Sequence, residues 1–284
     1  MLYQLATYSF WFAFVGLLVA SAIYVLEITR GKPTNIPYGR IVSVTAWIFL
    51  TASIGMFSSY HSGTSLSGSN VLVLLAWALV LIYFILGFMF KFTRYGTLFV
   101  PAATLLLFAA QVLAPGRGDL TPYPELVTAQ MDSAMIGYHV LLITFGNALL
   151  LVGSMAAVLY AYQAKALRSK RPPLWLKSLP SLANIEKLWI RVLTFGLPIY
   201  FSGQILGVTR AITVDAQGWF FDVRIVLSGA ILIVYSVALF LYYRAKTDSL
   251  IIAHISLLGA ALIVILMVLA RILPVGFHIF GAFS

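Results

Sequence analysis

The sequence has no cysteine and few charged residues among its 284 positions. Without cysteine it cannot form a metal–cysteine cluster. Only 9% of its residues are charged, whereas about a quarter are charged in an average soluble domain. Hydrophobic residues make up 62% of the chain. This composition excludes an ordinary soluble domain and predicts a protein that crosses the membrane several times.

Eight apolar runs are long enough to cross about 30 Å of hydrocarbon as helices, which takes about 20 residues each. None of them alternates with a period of two, which excludes a transmembrane β-barrel. The fifth run is longer than one span requires, so we expect it to tilt or to project beyond the bilayer. The sequence therefore predicts an all-α, polytopic membrane helical bundle with about eight transmembrane helices, over residues 7–27, 41–60, 71–90, 97–114, 134–162, 189–208, 224–243 and 250–272.

Basic residues are concentrated in alternate connectors between the predicted spans. Fourteen of the 18 Lys and Arg residues lie in the first, third, fifth and seventh connectors or, for Arg191, within three residues of the fifth. The positive-inside rule makes these connectors cytoplasmic and places both termini outside. No basic residue precedes the first apolar run, so we expect a retained helix there and not a cleaved signal peptide. Membrane orientation thus accounts for most of the net charge of +10, and we expect no nucleic-acid partner.

We interpret residues 1–284 as a single integral membrane domain, because no repeat indicates inverted transporter halves. Its sizeable cytoplasmic connector is 163–188, where Pro172 and Pro173 break any helix that continues from the fifth span. The following SLANIEKLW predicts a short helix at the membrane surface, with Trp and Leu against lipid. We therefore expect a linker with an interfacial helix.

Three of the four histidines lie at the predicted outer face. His61 ends the second span, His139 lies about one turn into the fifth, and His278 follows the eighth. His254 lies near the inner end of the eighth span. The 24 residues between His254 and His278 correspond to up to about 36 Å of helix, so these two cannot share a ligand site. His139 and His278 can, and two opposed imidazoles suit the iron of a low-spin haem.

The stretch DAQGWFFDVR, before the seventh span, carries residue types that suit such a site. Trp219, Phe220 and Phe221 would form a wall for the porphyrin, with Arg210 or Arg224 at its propionates. Because the chain has no cysteine, it cannot form a thioether link to haem, so the expected cofactor is non-covalent haem b. The alternative is that the histidines are satisfied polar residues and that the aromatic residues belong to an interfacial belt, which is the commoner role of each.

From the fifth span onward the chain resembles the cytochrome c assembly superfamily, in its CcsA, HemX and YpjD-like branch of haem-handling membrane proteins. The matching segments, in order, are YHVLLITFGNALLLVGSMAAVLYAYQ, SLPSLANIEKLWIRVLTFGLPIYFSGQILG, QGWFFDVRIVLS and GFHIFG. GSNVLVLLAW, after the second span, is similar to a shortened form of the family's Ser-Asn-x-Tyr-Glu segment. The resemblance extends over nearly the whole chain.

The resemblance implies a site and a function. His139 and His278 occupy the positions of the two axial ligands of an externally exposed haem, and His61 is a third candidate with a looser match. Trp219 and Asp222 occupy the outer segment that holds the porphyrin. The implied function is to present haem at the outer face of the membrane for c-type cytochrome biogenesis. If the protein is an enzyme, the resemblance implies a haem lyase or synthase component.

The chain departs from the family in the outer segment, where Trp-Asp-Pro-Lys-Glu is replaced by FDVR. This reduced platform leaves open a non-enzymatic haem-responsive regulator or a membrane-complex subunit. A small-solute transporter is the other alternative. The resemblance implies haem as a ligand and an apocytochrome c or a second membrane assembly subunit as a protein partner. The charge orientation and the family suit the inner (plasma) membrane of a bacterium.

Overall fold

The structure, a computed structural model, describes residues 1–30, 38–60, 68–90, 96–112, 133–168, 180–213 and 218–272. These residues form α-helices and one 3-10 turn, and they include no strand. The 3-10 turn, Trp219–Phe221, directly precedes the seventh of the described α-helices. The helices are α1 (Leu2–Arg30), α2 (Tyr38–Tyr60), α3 (Gly68–Phe90), α4 (Gly96–Val112), α5 (Ser133–Arg168), α6 (Leu182–Thr213), α7 (Val223–Tyr243) and α8 (Ser249–Ile272).

Seven of the described helices are long and apolar enough to cross a membrane. The remaining one, α4, is an apolar helix of 17 residues at the position of the predicted fourth span. At 1.5 Å per residue α4 is about 25 Å long, which is near the lower limit for a transmembrane helix. The prediction of an all-α, polytopic membrane bundle is confirmed.

Helix α6 begins earlier than the sequence predicts. It starts at Leu182 and has 32 residues, so the residues predicted as a separate interfacial helix form its first two turns. No proline or glycine lies between Leu182 and Trp189 to end a helix there. Glu186 and Lys187 make the sequence less apolar without breaking the backbone. Residues 163–168 of the predicted linker form the end of α5, and residues 169–179 lie outside the described residues.

The chain divides into two compact units. Unit 1 comprises Met1–Leu113 and Leu159–Ile185, and unit 2 comprises Ala114–Val158 and Glu186–Ser284. Unit 1 contains α1 to α4, whereas unit 2 contains most of α5 and α6 together with α7 and α8. The interpretation of residues 1–284 as one domain stays a prediction.

Close approaches at small residues hold the helices of unit 1 together. A methyl group on Gly16 of α1 would lie 2.8 Å from Cβ of Ala46 on α2, so the two backbones lie close together at this point. The hydroxyls of Tyr24 on α1 and Tyr83 on α3 form a hydrogen bond of 2.5 Å. Gly96, at the start of α4, leaves room for the ring of Tyr24. Packing of this kind suits a membrane bundle, because apolar burial drives helix association only in water.

Glycines also bring α5 and α6 into close contact within unit 2. The contacts run forward along α5 and backward along α6, so the two helices are antiparallel. Each contact has a glycine on one side, which lets the opposite residue approach the backbone. The pairs are His139 with Gly207, Ile143 with Gly203, Gly146 with Tyr200, Leu149 with Gly196, and Gly153 with Leu193.

Four buried side chains connect four helices by hydrogen bonds inside unit 2. Ser154 on α5 donates to the main-chain oxygen of Ser256 on α8 at 2.9 Å, and Trp189 Nε1 on α6 donates to Ser256 Oγ at 3.2 Å. The Tyr235 hydroxyl on α7 lies 2.8 Å from Ser154 Oγ. Because Ser154 has only one hydroxyl hydrogen, Tyr235 is the donor in this pair. The cluster joins α5, α6, α7 and α8.

We expect Tyr235→Phe to lower the stability of the protein by about 0.6 kcal/mol and by at most about 1.7 kcal/mol, the average and the maximum found for interhelical hydrogen bonds in a membrane protein. The ring stays in place, so only the bond to Ser154 is lost. Thermal unfolding in detergent, followed by tryptophan fluorescence, measures the change.

Tyr200→Phe is the matched control, because it removes a hydroxyl that is also fully buried. Ser228 and Gln204 lie near this hydroxyl, but among the described residues none forms a hydrogen bond with it. Its removal should leave the stability unchanged or raise it. Equal losses in both variants would contradict a specific role for the Tyr235 hydroxyl.

Candidate functional site

The topology of unit 2 brings two predicted site segments, together with the end of α8, to one end. His139 is in the second turn of α5, and the antiparallel α6 ends at Thr213, so the start of α5 and the end of α6 lie together. The 3-10 turn follows α6 and precedes α7. Helix α8 packs against α7 after a short connector, so the end of α8 lies at this same end. His278 follows α8 in sequence, but both His278 and His61 lie outside the described residues.

The imidazole of His139 is partly buried against α6. Its Nδ1 lies 2.8 Å from the main-chain oxygen of Gly203. A carbonyl oxygen only accepts hydrogen bonds, so Nδ1 carries the proton and Nε2 of the neutral ring is the unprotonated nitrogen. Histidines that bind metals commonly donate their other ring N–H to a backbone carbonyl in this way. His139 therefore fits the role of an axial haem ligand through Nε2.

Sequence reasoning did not single out Gly203 or Gly207, the two residues of α6 against which the imidazole lies. A methyl group on Gly207 would be 2.7 Å from Cε1 of His139, which is closer than carbon atoms approach. The signal in the sequence is the spacing GQILG, since two small residues four positions apart on a membrane helix typically mark close packing.

The aromatic residues Trp219, Phe220 and Phe221 form an exposed turn. Gly218 precedes the turn with φ of 70°, a left-handed conformation that glycine adopts at little cost. Successive rings pack edge to face, with centroids 5.7 and 5.9 Å apart. Phe220 is 66% exposed and Phe221 is 83% exposed. This apolar surface suits a porphyrin wall, and it also suits an interfacial aromatic belt.

Asp222 is directed at the backbone of α7. It is the N-cap residue of this helix, and its Oδ1 accepts a hydrogen bond of 2.8 Å from the main-chain N–H of Arg224. The side chain is buried, at 5% exposure. The structure thus gives Asp222 a role in starting α7, and its predicted role in holding haem stays a prediction. The Arg224 side chain is partly buried beside it.

We expect Asp222→Ala to destabilise the protein by about 1 kcal/mol through loss of the N-cap, whereas Asp222→Asn should be nearly neutral because asparagine caps equally well. Thermal unfolding in detergent tests this, and the absorption spectrum of each variant shows whether haem is retained. If Asp222→Asn, which keeps the N-cap, also loses haem, the charge of the carboxylate is needed. A spectrum that is normal in both variants would reject the prediction that Asp222 helps to hold haem.

His254 lies near the start of α8, and its Nδ1 is 2.6 Å from the main-chain oxygen of Leu250 one turn earlier. The 18 residues from His254 to Ile272 correspond to about 27 Å of helix, so His254 is far from the end of unit 2 that holds His139. In the part of the chain that the structure describes, no group of three or more His, Asp or Glu side chains forms a metal site. A haem requires no such cluster, since axial side chains alone bind its iron.

The sequence matches the protein family described as Cytochrome C assembly protein over residues 65–278. The chain belongs to this family. The matched region includes every candidate residue from His139 to His278, whereas His61 precedes it. The chain is also similar to Protein HemX of Brevibacillus brevis, with 27% identity over 122 residues, which is 43% of this chain and 45% of that protein. The alignment thus covers less than half of this relative.

Proposed function

We propose that the protein binds haem b non-covalently at the outer face of the membrane and presents it for c-type cytochrome biogenesis. Membership of the Cytochrome C assembly protein family supports a role in this process. The observation that carries haem binding is the hydrogen bond from His139 Nδ1 to the Gly203 oxygen, because it makes Nε2 the ligating nitrogen of the neutral ring.

His139 provides one axial ligand in this proposal and His278 the other. His278 lies within the family match and follows α8 in sequence, and α8 ends at the same end of unit 2 as the one that holds His139. His61 is a third candidate, with support from the looser sequence resemblance only. The two axial imidazoles would hold the iron in place while the acceptor protein docks.

The remaining residues would hold the edges and one face of the porphyrin. Trp219, Phe220 and Phe221 offer apolar ring surface, of which Phe220 and Phe221 are exposed, and the guanidinium of Arg224 is suited to a propionate. Bound haem supplies the iron and the vinyl groups that react with the thiols of an apocytochrome. The chain's own contribution is to bind haem and to keep it accessible.

The proposed protein partner is an apocytochrome c or a second membrane assembly subunit. The proposed location is the inner (plasma) membrane of a bacterium. The distribution of Lys and Arg supports an orientation in which the start of α5 and the 3-10 turn lie outside the cytoplasm. Haem and its acceptor would therefore meet at the outer surface.

The absorption spectrum of the protein purified in mild detergent tests haem binding. We expect a Soret band in the oxidised protein, with sharp α and β bands after reduction by dithionite, as for iron with two imidazole ligands. If no band appears even after haem is added back, haem binding is rejected.

A haem-responsive regulator or a membrane-complex subunit is the second candidate, favoured by the small size of the exposed aromatic turn, which has three residues. Deletion of the gene separates the two functions. Loss of mature c-type cytochromes supports presentation of haem. Normal maturation, in a strain whose purified protein has the Soret band, supports the regulator or subunit.

A further inference from the structure

The imidazole of His139 lies in a seat made by two glycines one turn apart on α6. Gly203 provides its main-chain oxygen to Nδ1 at 2.8 Å. Gly207 provides space, because a methyl group there would lie 2.7 Å from Cε1, 3.0 Å from Nδ1 and 3.6 Å from Nε2. The Cε1–Nδ1 edge of the ring is therefore nearest to α6, and Nε2 is farther away.

The two glycines act on different properties of the ring. The carbonyl of Gly203 selects the tautomer, since only Nδ1–H can donate to it. The missing side chain at Gly207 selects the position of the ring, since any larger residue would push Cε1 away from α6. The seat is fixed in turn by the packing of Ile143, because a methyl group on Gly203 would lie 2.9 Å from the Ile143 side chain and 3.0 Å from its main-chain nitrogen.

We propose that Gly203 and Gly207 are the positioning residues of the His139 ligand. They hold the ring in one orientation with Nε2 as the ligating atom. The proposal rests on the proposed function, because it assigns these residues to the haem site. It goes beyond that function in assigning the backbone of α6 the role of orienting the axial ligand.

The hydrogen bond to Gly203 should also change the electronic character of the ligand. Donation from Nδ1–H to a carbonyl raises the basicity of Nε2, and a more basic ligand favours ferric over ferrous iron. Disturbing the seat should therefore weaken haem binding and raise the reduction potential. A purely structural role for the glycines would change stability and leave the potential of the bound haem unchanged.

Gly207→Ala tests the seat directly, with Gly137→Ala as the matched control. Gly137 lies on α5 two residues before His139, and no described atom lies within 4 Å of a methyl group at that position. Titration with haemin should show binding that is about ten- to a hundredfold weaker in Gly207→Ala, the usual effect of losing an outer-shell contact. Redox titration should show a higher midpoint potential. Unchanged affinity and potential in a folded Gly207→Ala protein would overturn the role of Gly207.

A second experiment tests the Gly203 carbonyl without a substitution at Gly203, where an added methyl group would clash with Ile143. His139→Gly leaves a space that free imidazole can fill, with one nitrogen on iron and its N–H on the Gly203 oxygen. 1-Methylimidazole can bind iron but has no N–H to donate. We expect imidazole to restore the wild-type spectrum at a concentration at least about tenfold lower than 1-methylimidazole requires, the lower end of the range for outer-shell contacts. The reference is the ratio of the 1-methylimidazole concentration to the imidazole concentration that free haemin requires in the same detergent.

The outcomes distinguish the seat from haem binding itself. If the two imidazoles restore the spectrum with the same ratio as for free haemin, the carbonyl of Gly203 has no role, although His139 stays a ligand. If the wild-type protein has no Soret band after haemin is added, both the proposed function and the seat are rejected.

Discussion

His139→Ala should abolish or strongly alter the Soret band of the purified protein. The variant removes Nε2, the proposed ligating nitrogen, which is left unprotonated when Nδ1 donates to Gly203. Iron that keeps only one imidazole takes up water or becomes high-spin, so the sharp reduced α and β bands should be lost. Absorption spectra of the oxidised and dithionite-reduced protein measure this effect.

His278→Ala should change the spectrum in the same way, whereas His254→Ala is the control and should leave it largely intact. Nδ1 of His254 is hydrogen-bonded to the main-chain oxygen of Leu250 in the same helix, far from His139. A normal spectrum in either His139→Ala or His278→Ala would reject the pair of axial ligands. Loss of haem in all three variants would indicate general misfolding.

Gly146→Ala should be among the most destabilising single-methyl substitutions in the membrane interior. The added methyl group would lie 2.6 Å from Cα and 2.7 Å from N of Tyr200. These are backbone atoms of α6 that cannot rotate away, so the two helices must separate. Overpacking of this kind costs about 1–3 kcal/mol, which exceeds the gain of about 1 kcal/mol in helix propensity. Thermal unfolding in detergent measures the loss.

Gly229→Ala is the control for this substitution. Gly229 lies in α7, and no described atom lies within 4 Å of a methyl group there. This variant should gain stability or stay unchanged, because alanine has the higher helix propensity. Equal unfolding midpoints for Gly146→Ala and the wild type would contradict the close packing of α5 on α6.

The helices could be predicted from sequence because apolar length alone decides what spans a bilayer. The predicted fifth span, 134–162, corresponds to α5 at Ser133–Arg168, and the prediction that it exceeds one span is confirmed. The sixth was predicted to start at 189 but starts at Leu182. The charged residues Glu186 and Lys187 delay the start of the apolar run, although they do not interrupt the helix.

The chemistry of the site was only partly predictable. His139 was identified from its residue type and its place near the outer end of a span, but the atom that meets Gly203 depends on the register between α5 and α6. No local pattern specifies that register. Asp222 was interpreted as a ligand-holding acid, whereas an Asp that directly precedes a helix is also a standard N-cap signal. The hydrogen bonds of Tyr235 likewise depend on which helices are neighbours.

Membranes of different thickness should tilt α5 and α6 together and should not slide one along the other. From His139 to Gly153 the two helices interlock at five places, over about four turns of α5. A slide of one residue, about 1.5 Å, would drive side chains into backbone at Gly146. Tilting relieves a thickness mismatch at only fractions of a kcal/mol per Å. The imidazole should therefore keep its place on α6 in thin and thick bilayers alike, so the geometry of this proposed ligand should not depend on lipid composition.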